Sequence, residues 1–191
     1  KTQRIEQFQE TLMMTGHTGY LQASRRALVH TLHGEGVAFA EAELTEVLKL
    51  WWELTPFEDS VEALGRLGER YRIAILSNGD VNLLALLVSK GIGVRFHAVV
   101  SVQQAGAFKP HPAVYRTAAR VLDSEPHRIM MATAHSVDVM GARSCGYRAA
   151  WGNRGALPFD ETHYRPDIIT DDLAGLASSL LDGTTRDQVR E

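Results

Sequence analysis

Three short stretches of the chain carry polar side chains whose types and spacing could support chemistry. Ser77-Asn78-Gly79 follows an apolar run and precedes a helical pattern, and Asp138 follows a second apolar run. Lys109 lies between them in Phe108-Lys109-Pro110-His111-Pro112. A hydroxyl, an amide and backbone N–H groups at a helix start suit a carboxylate or phosphate. A lysine beside an acid could stabilise the negative charge that develops during a reaction.

Each stretch also has an ordinary structural explanation. Ser77-Asn78-Gly79 could be a helix cap with a tight turn, and Asp138 could be an N-cap. Lys109 could be a solvated lysine, exposed at the tip of a loop that two prolines stiffen. His135 belongs to no His or Cys spacing that is typical of a metal site. The residue types alone leave both interpretations open.

The elements that must position these residues alternate from residue 57 onwards. Helical patterns separate short apolar runs, which predict strands at 71–76, 96–101, 128–133, 147–151 and 167–170. This alternation predicts an α/β fold, with a parallel sheet covered by helices on both faces. Ligands of such sheets bind at the carboxyl ends of the strands, where Ser77, Lys109 and Asp138 fall.

Residues 1–54 have a different texture, because they show helical patterns only. In 43–52, for example, Leu44, Val47 and Trp51 share one apolar helix face, and Trp51-Trp52 could pack there or line a pocket. We therefore predict a helical domain over 1–55 and an α/β domain over 56–191.

The composition excludes several classes of protein. The 191 residues include 20 Lys and Arg and 23 Asp and Glu, a net charge of −3, which is too balanced for a nucleic-acid or membrane-surface protein. The single cysteine, Cys145, cannot form an internal disulfide and predicts a reducing compartment, the cytoplasm. No apolar run is long enough to span a membrane.

The order of the motifs is more specific than any one of them. Ser-Asn-Gly, then Phe-Lys-Pro-His-Pro-x-x-Tyr, then Ala-His-x-x-Asp-Val-x-Gly-Ala-Arg resembles the haloacid dehalogenase superfamily, and within it the type II L-2-haloacid dehalogenases. The resemblance covers essentially the whole chain. It implies a Rossmann-like core under a helical cap, and hydrolysis of short-chain L-2-haloacids to 2-hydroxy acids through an aspartyl ester. It implies no cofactor and no metal.

The resemblance also assigns residues to the substrate. Ser77 and Asn78 would bind the carboxylate of the 2-halocarboxylate and help to receive the halide, and Tyr115 would steady the site. Homodimers are common in the resembled family, and the amphipathic helical segment offers a surface for one.

Four further residues would be catalytic by the same resemblance. Lys109 would neutralise the nucleophile, and Asp138 would orient Lys109 and the hydrolytic water. Thr133 falls where the family often has serine, and His135 where it has asparagine or histidine.

One departure from the family pattern is serious. The family's nucleophile lies in a Phe-Asp-x-x-Gly-Thr segment on the first strand, before the cap, whereas no aspartate precedes Asp59 here. We therefore expect that the chain lacks an N-terminal stretch and is inactive by itself. The basic residue that binds halide at the start of the cap stays unassigned between Lys1 and Arg4.

This departure makes a structural prediction. In the resembled fold the nucleophile's strand lies between the strands predicted at 72–76 and 128–133. Because neighbouring strands lie about 4.8 Å apart, we expect a gap of about 10 Å between those two strands. The gap should open beside Ser77, Lys109 and Asp138.

Two other functions stay open. One is a phosphatase of the same superfamily, and the other is a catalytically inactive fragment or binding module. A phosphatase would need Mg²⁺, which prefers carboxylate ligands, yet residues 132–137 contain no acid before Asp138. The sequence therefore favours the dehalogenase.

Overall fold

The computed structural model describes residues 2–159 and 162–183, although not the side chains of Thr2, Arg4, Gly91 and Ile92. It begins with helices α1 (Thr2–Met13), α2 (Tyr20–Gly34) and α3 (Glu41–Lys49). A short 3₁₀ turn, Gly16–Thr18, joins α1 to α2, and a second one, Leu50–Glu53, follows α3. Within the described chain, no helix has the length and apolar composition needed to cross a membrane.

The small residues of α2 bring it close to α1. Ala23, Ser24 and Ala27 are buried on one face of α2, where the Gln7 amide of α1 donates a hydrogen bond to the Ser24 hydroxyl. Small side chains allow two helix backbones to approach closely, so this pair packs tightly despite having few large apolar residues. Trp51 lies in the 3₁₀ turn rather than in the single helix predicted over 43–52.

Strands and helices then alternate as predicted, which confirms the α/β class. The elements are α4 (Glu58–Gly68), β1 (Ala74–Ser77), α5 (Val81–Leu87), β2 (Ala98–Ser101), α6 (Pro112–Val121), β3 (Met130–Thr133), α7 (Ser136–Ser144), β4 (Arg148–Gly152), β5 (Ile168–Thr170) and α8 (Leu173–Leu181). A turn of π-helix, Val88–Ile92, extends α5.

The strand β1 is shorter at its start than the apolar run predicted. Tyr71 and Arg72 lie before the strand and are exposed. The Tyr71 hydroxyl donates to the carbonyl of Leu180, and the Arg72 guanidinium donates to the carbonyl of Leu122. Both side chains are therefore tied to the C-terminal ends of two helices, α8 and α6.

The strands form two separate parallel sheets. β1 pairs with β2 from Ala74 opposite Ala98 to Ser77 opposite Ser101. β4 lies between β3 and β5 in the second sheet, with Thr133 opposite Trp151. In the described chain, β1 and β3 each have a strand partner on one side only.

A cleft lies between β1 and β3, which confirms that these two strands do not pair with each other. Its volume is about 1310 Å³, and its lining includes Ile73–Leu76 from one side and Ile129–Ala132 from the other. Residues of β1 are only half-buried, and Ala132 of β3 is exposed. The gap was predicted to open beside Ser77, Lys109 and Asp138, but the lining includes none of the three and reaches only Leu76 and Ala132, directly before Ser77 and Thr133.

Candidate active site

The turn after β1 is held by the side chains of two serines. The Ser77 hydroxyl accepts a hydrogen bond from the Gly79 N–H (3.0 Å), and the buried Ser101 hydroxyl donates to the Gly79 carbonyl (2.7 Å). The tight-turn interpretation of Ser77-Asn78-Gly79 is therefore confirmed. It does not compete with a binding role, because a hydroxyl that accepts one hydrogen bond still has a proton to donate.

Asn78 connects this turn to the loop that carries the lysine. Its Oδ1 accepts a hydrogen bond from the backbone N–H of Lys109 at 3.0 Å. Phe108, the residue before the lysine, is buried against Val102 and Val114. These two attachments hold the start of the loop against the end of β1.

Lys109 and Asp138 form a largely buried ion pair. The Lys109 Nζ lies 2.8 Å from the Asp138 Oδ2, and each side chain is 11% exposed. The expectation that Lys109 stands exposed at a loop tip is wrong. The loop folds inwards because Phe108 is anchored in the core and Asn78 bonds the lysine backbone.

The loop after β3 supports the acid of this pair. The Thr133 hydroxyl lies 3.4 Å from the Asp138 Oδ2 and accepts from the His135 N–H at 3.1 Å. His135, whose side chain is exposed, is the N-cap residue of α7, so the N-cap interpretation of Asp138 is wrong. Asp138 lies in the first turn of α7, where the helix dipole favours a negative charge.

Tyr115 lies beneath Asp138 in the core. It is fully buried, its hydroxyl lies 3.5 Å from the Asp138 carbonyl, and its backbone carbonyl accepts from the Tyr147 hydroxyl at 2.6 Å. Burial, and after it the Asp138 carboxylate, raises the pKa of Tyr115 well above its usual range. Burial, and then electrostatic repulsion by Cys145, raises the pKa of Tyr147 to about 12. Both hydroxyls therefore stay neutral at physiological pH and serve as hydrogen-bond donors.

Tyr115 leaves no room for a side chain at position 141. A Cβ atom at Gly141 would lie 2.4 Å from the Tyr115 hydroxyl and 2.8 Å from the Cβ of Pro110. The glycine of the Asp-Val-x-Gly motif therefore lets α7 approach both the tyrosine and the lysine loop.

The helical segment contributes aromatic rings close to the lysine loop. The Tyr20 ring lies 5.4 Å from that of Trp51, edge to face, and 6.5 Å from that of Phe108. Tyr20 and Phe108 were not predicted as neighbours of the site, because helix periodicity does not indicate which other segment a helix meets. Asp80 was not predicted either, although it directly follows Ser77-Asn78-Gly79.

The last two site predictions concern halide binding and metal binding. Lys1 and the side chain of Arg4, the candidates for halide binding, lie outside the described residues. Within 2–159 and 162–183, no group of three or more His, Cys, Asp or Glu side chains is arranged to hold a metal ion.

The geometry brings together the turn after β1, the lysine loop and the first turn of α7. A family model described as haloacid dehalogenase-like hydrolase matches residues 2–146, which contain all three. The chain belongs to this family of hydrolases.

Individual proteins that are similar in sequence to this haloacid dehalogenase-like hydrolase are dehalogenases. Haloacetate dehalogenase H-2 of Moraxella is 30% identical over 158 residues, which are 82% of this chain and 70% of the relative. An (S)-2-haloacid dehalogenase of Xanthobacter autotrophicus is 33% identical over 72% of this chain and 54% of its own length.

The solved structures extend this similarity to the fold. The L-2-haloacid dehalogenase of Xanthobacter autotrophicus with chloropropionic acid covalently bound superposes with a TM-score of 0.81 and 27% identity. The match covers 94% of this chain and 84% of that one. The hydrolase therefore has the haloacid dehalogenase fold.

Proposed function

We propose that the protein hydrolyses short-chain L-2-haloacids to 2-hydroxy acids through an aspartyl ester. The observation that carries the proposal is the Lys109–Asp138 pair, which lies beside Asn78 where the strands on either side of the cleft end. A buried ammonium at this position suits an anionic nucleophile that attacks an anionic substrate. The names of the relatives, which act on haloacetate and (S)-2-haloacids, support the same substrate class.

The reaction has two steps. A carboxylate oxygen of the nucleophilic aspartate attacks C2 of the substrate, and the halide leaves with the electron pair of its bond to carbon. Water then attacks the carbonyl carbon of the ester, which releases the inverted 2-hydroxy acid and restores the aspartate. The aspartate would come from a Phe-Asp-x-x-Gly-Thr strand, a segment that the 191 residues do not contain.

Residues on both flanks would serve these steps. Ser77 would donate its hydroxyl proton to the substrate carboxylate, and Asn78 would donate through its amide nitrogen, since its oxygen accepts from Lys109. Thr133 and His135 would shape the loop that holds Asp138. Because Tyr115 is fully buried, we assign it the role of steadying Asp138 rather than contact with substrate.

The arrangement of the whole molecule follows the same proposal. Residues 1–55 would form a helical cap over the site, and residues 56–191 would form the Rossmann-like core. We further propose that the protein acts as a homodimer in the cytoplasm.

The acidic residues near Lys109 favour this reaction over phosphate ester hydrolysis, because they offer a poor site for Mg²⁺. Asp138 is paired with Lys109, and no other acid lies within residues 132–137. A carboxylate neutralised by an ammonium is a poor ligand for Mg²⁺, which a superfamily phosphatase would require. We therefore expect halide release that EDTA does not affect.

A gain of function tests the proposal. A Phe-Asp-x-x-Gly-Thr strand fused before Lys1 should allow release of chloride from L-2-chloropropionate with formation of D-lactate. Chloride titration and chiral chromatography measure the two products. The matched control carries asparagine in place of the fused aspartate, and it should be inactive, as should the 191-residue chain alone. Turnover of phosphate esters only, dependent on Mg²⁺, would overturn the proposal.

A further inference from the structure

The connector between α1 and α2 is pressed against the segment that leads to Lys109. A Cβ atom at Gly16 would lie 2.6 Å from the Ala107 nitrogen and 2.7 Å from the Val102 oxygen. Across the same contact, a Cβ atom at Gly106 would lie 2.9 Å from the His17 Nε2. The two backbones can approach this closely because neither glycine has a side chain, so this contact ties the position of the connector to that of the lysine loop.

Asp80 binds the first turn of α2, directly after this connector. Its Oδ1 accepts a hydrogen bond from the Tyr20 N–H (2.8 Å), and its Oδ2 accepts one from the Leu21 N–H (3.1 Å). These N–H groups belong to the first turn of α2 and have no acceptor within the helix. The residue before them, Gly19, has no side chain to supply one, and a Cβ atom there would lie 2.5 Å from the Asp80 Oδ1.

The same aspartate does not cap its own helix. Asp80 is the N-cap residue of α5, a position where aspartate usually bonds the following N–H groups, but its side chain makes no such bond. The carboxylate instead reaches a helix that begins 60 residues earlier in the chain. A requirement of α5 alone therefore does not explain the residue.

Two contacts link Asp80 to the lysine. Tyr20, which Asp80 holds by its N–H, packs its ring against Phe108, the neighbour of Lys109. Asn78, two residues before Asp80, accepts from the Lys109 N–H. Two contacts therefore hold the backbone at Lys109. One is the bond to Asn78, in the turn that ends at Asp80, and the other is the packing of Phe108 against Tyr20, whose N–H Asp80 binds.

We propose that Asp80 is a positioning residue, whose carboxylate fastens the first turn of α2 to the Ser77–Asp80 turn and thereby fixes the loop that carries Lys109. Its relevance to catalysis rests on the proposed function, but its effect on the loop does not. A carboxylate at a helix N-terminus gains from the helix dipole as well as from its hydrogen bonds.

Amide hydrogen exchange of the 191-residue chain tests the proposal without an activity assay. Loss of a side-chain cap costs a factor of about five to ten in local stability, so Asp80→Ala should speed exchange at the Tyr20 and Leu21 amides by about that factor. The Lys109 amide should also exchange about threefold or more faster. Asp80→Asn retains one acceptor oxygen and should give an intermediate result at all three amides.

The matched control is Asp59→Ala. Asp59 pairs with Arg154 at 2.6 Å, another link between distant segments, but it takes no part in the contacts around Lys109. This variant should leave the three amides unchanged. Faster exchange at Tyr20 and Leu21 with an unchanged Lys109 amide would make Asp80 an ordinary helix cap and overturn the proposal.

The fused protein described above separates this proposal from the proposed function. With halide release as the readout, Asp80→Ala should lower kcat/KM about tenfold, in the range of lost positioning contacts, and Asp80→Asn should restore part of it. An unsubstituted fused protein that releases no halide would overturn the proposed function, while the exchange of Lys109 would still decide the role of Asp80.

Discussion

Lys109 bonds Asn78 on one flank of the cleft by its backbone and Asp138 on the other flank by its side chain. The Nζ to Oδ2 distance to Asp138 is 2.8 Å, and both side chains are 11% exposed. A charge with so little exposure depends on its partner, since it has lost most of its hydration. The two residues therefore contribute to stability as well as to the proposed chemistry.

The first prediction concerns the loss of one partner. Lys109→Met or Asp138→Leu should each lower the free energy of unfolding by about 3 kcal/mol, because each leaves an unpaired buried charge. The double substitution should cost clearly less than the sum of the two. Urea unfolding of the four proteins measures this coupling, and purely additive losses would contradict it.

The same lysine makes a separate prediction for activity. In the fused, active protein, Lys109→Ala should lose at least about 10²-fold in rate, the effect of removing an electrostatic stabiliser. Because this substitution also costs stability, the rate must be measured well below the unfolding temperature of the variant. Near-normal turnover would remove Lys109 from the catalytic machinery.

The third prediction is a fall of stability at high pH. The pKa of Tyr147 is raised from about 10 to about 12, so the unfolded chain loses this proton first as the pH rises. The free energy of unfolding should be unaffected below pH 10 and decline from about pH 10 to 12. Tyr147→Phe should make that decline smaller, with the remainder due to Tyr115, whose pKa is also raised. Through the lost bond to the Tyr115 carbonyl, it should also cost about 1 kcal/mol at neutral pH. An unchanged decline would contradict the assignment.

The fourth prediction addresses the open edge of β3. Ala132 is exposed and lines the cleft, and unpaired apolar strand edges promote association between chains. Ala132→Lys should reduce aggregation at high concentration, as followed by light scattering. Ala134→Lys is the control, because Ala134 is exposed but lies beyond the strand. Equal effects of the two lysines would show that net charge, not the strand edge, matters.

The fifth prediction tests the proposed homodimer. Ile5, Phe8 and Leu12 are exposed at a spacing that aligns them along α1. Phe8→Glu should convert a dimer into a monomer in analytical ultracentrifugation. Val121→Glu, an exposed apolar residue of α6, should leave the dimer intact. A monomeric unsubstituted protein would contradict the prediction.

The alternation of strands and helices could be predicted from the sequence because each apolar run is local. The gap between β1 and β3 could also be predicted, since the resemblance supplied the order of the strands. The start of β1 could not be predicted, because the side chains of Tyr71 and Arg72 bond to the carbonyls of Leu180 and Leu122, which are distant in sequence.

For the candidate site, too, some features could be predicted from the sequence and others could not. Ser77, Lys109 and Asp138 follow predicted strands, so their types and positions indicated a site. The burial of Lys109 could not be predicted, because it depends on Phe108 packing against Val102 and on a bond from the lysine backbone to Asn78. The role of Asp80 in α2 was likewise hidden, because one acidic residue gives no signal of which helix it serves.

The separation of the two sheets has a consequence for how the protein unfolds. β1 and β2 share no backbone ladder with β3, β4 and β5 in the described chain, and Leu76 connects β1 to the cluster around Tyr115 and Tyr147 by side-chain packing alone. Side-chain contacts couple structural units less strongly than a continuous ladder does, so each half can lose its order separately. Thermal unfolding should then lack full cooperativity, with a calorimetric enthalpy larger than the van't Hoff enthalpy.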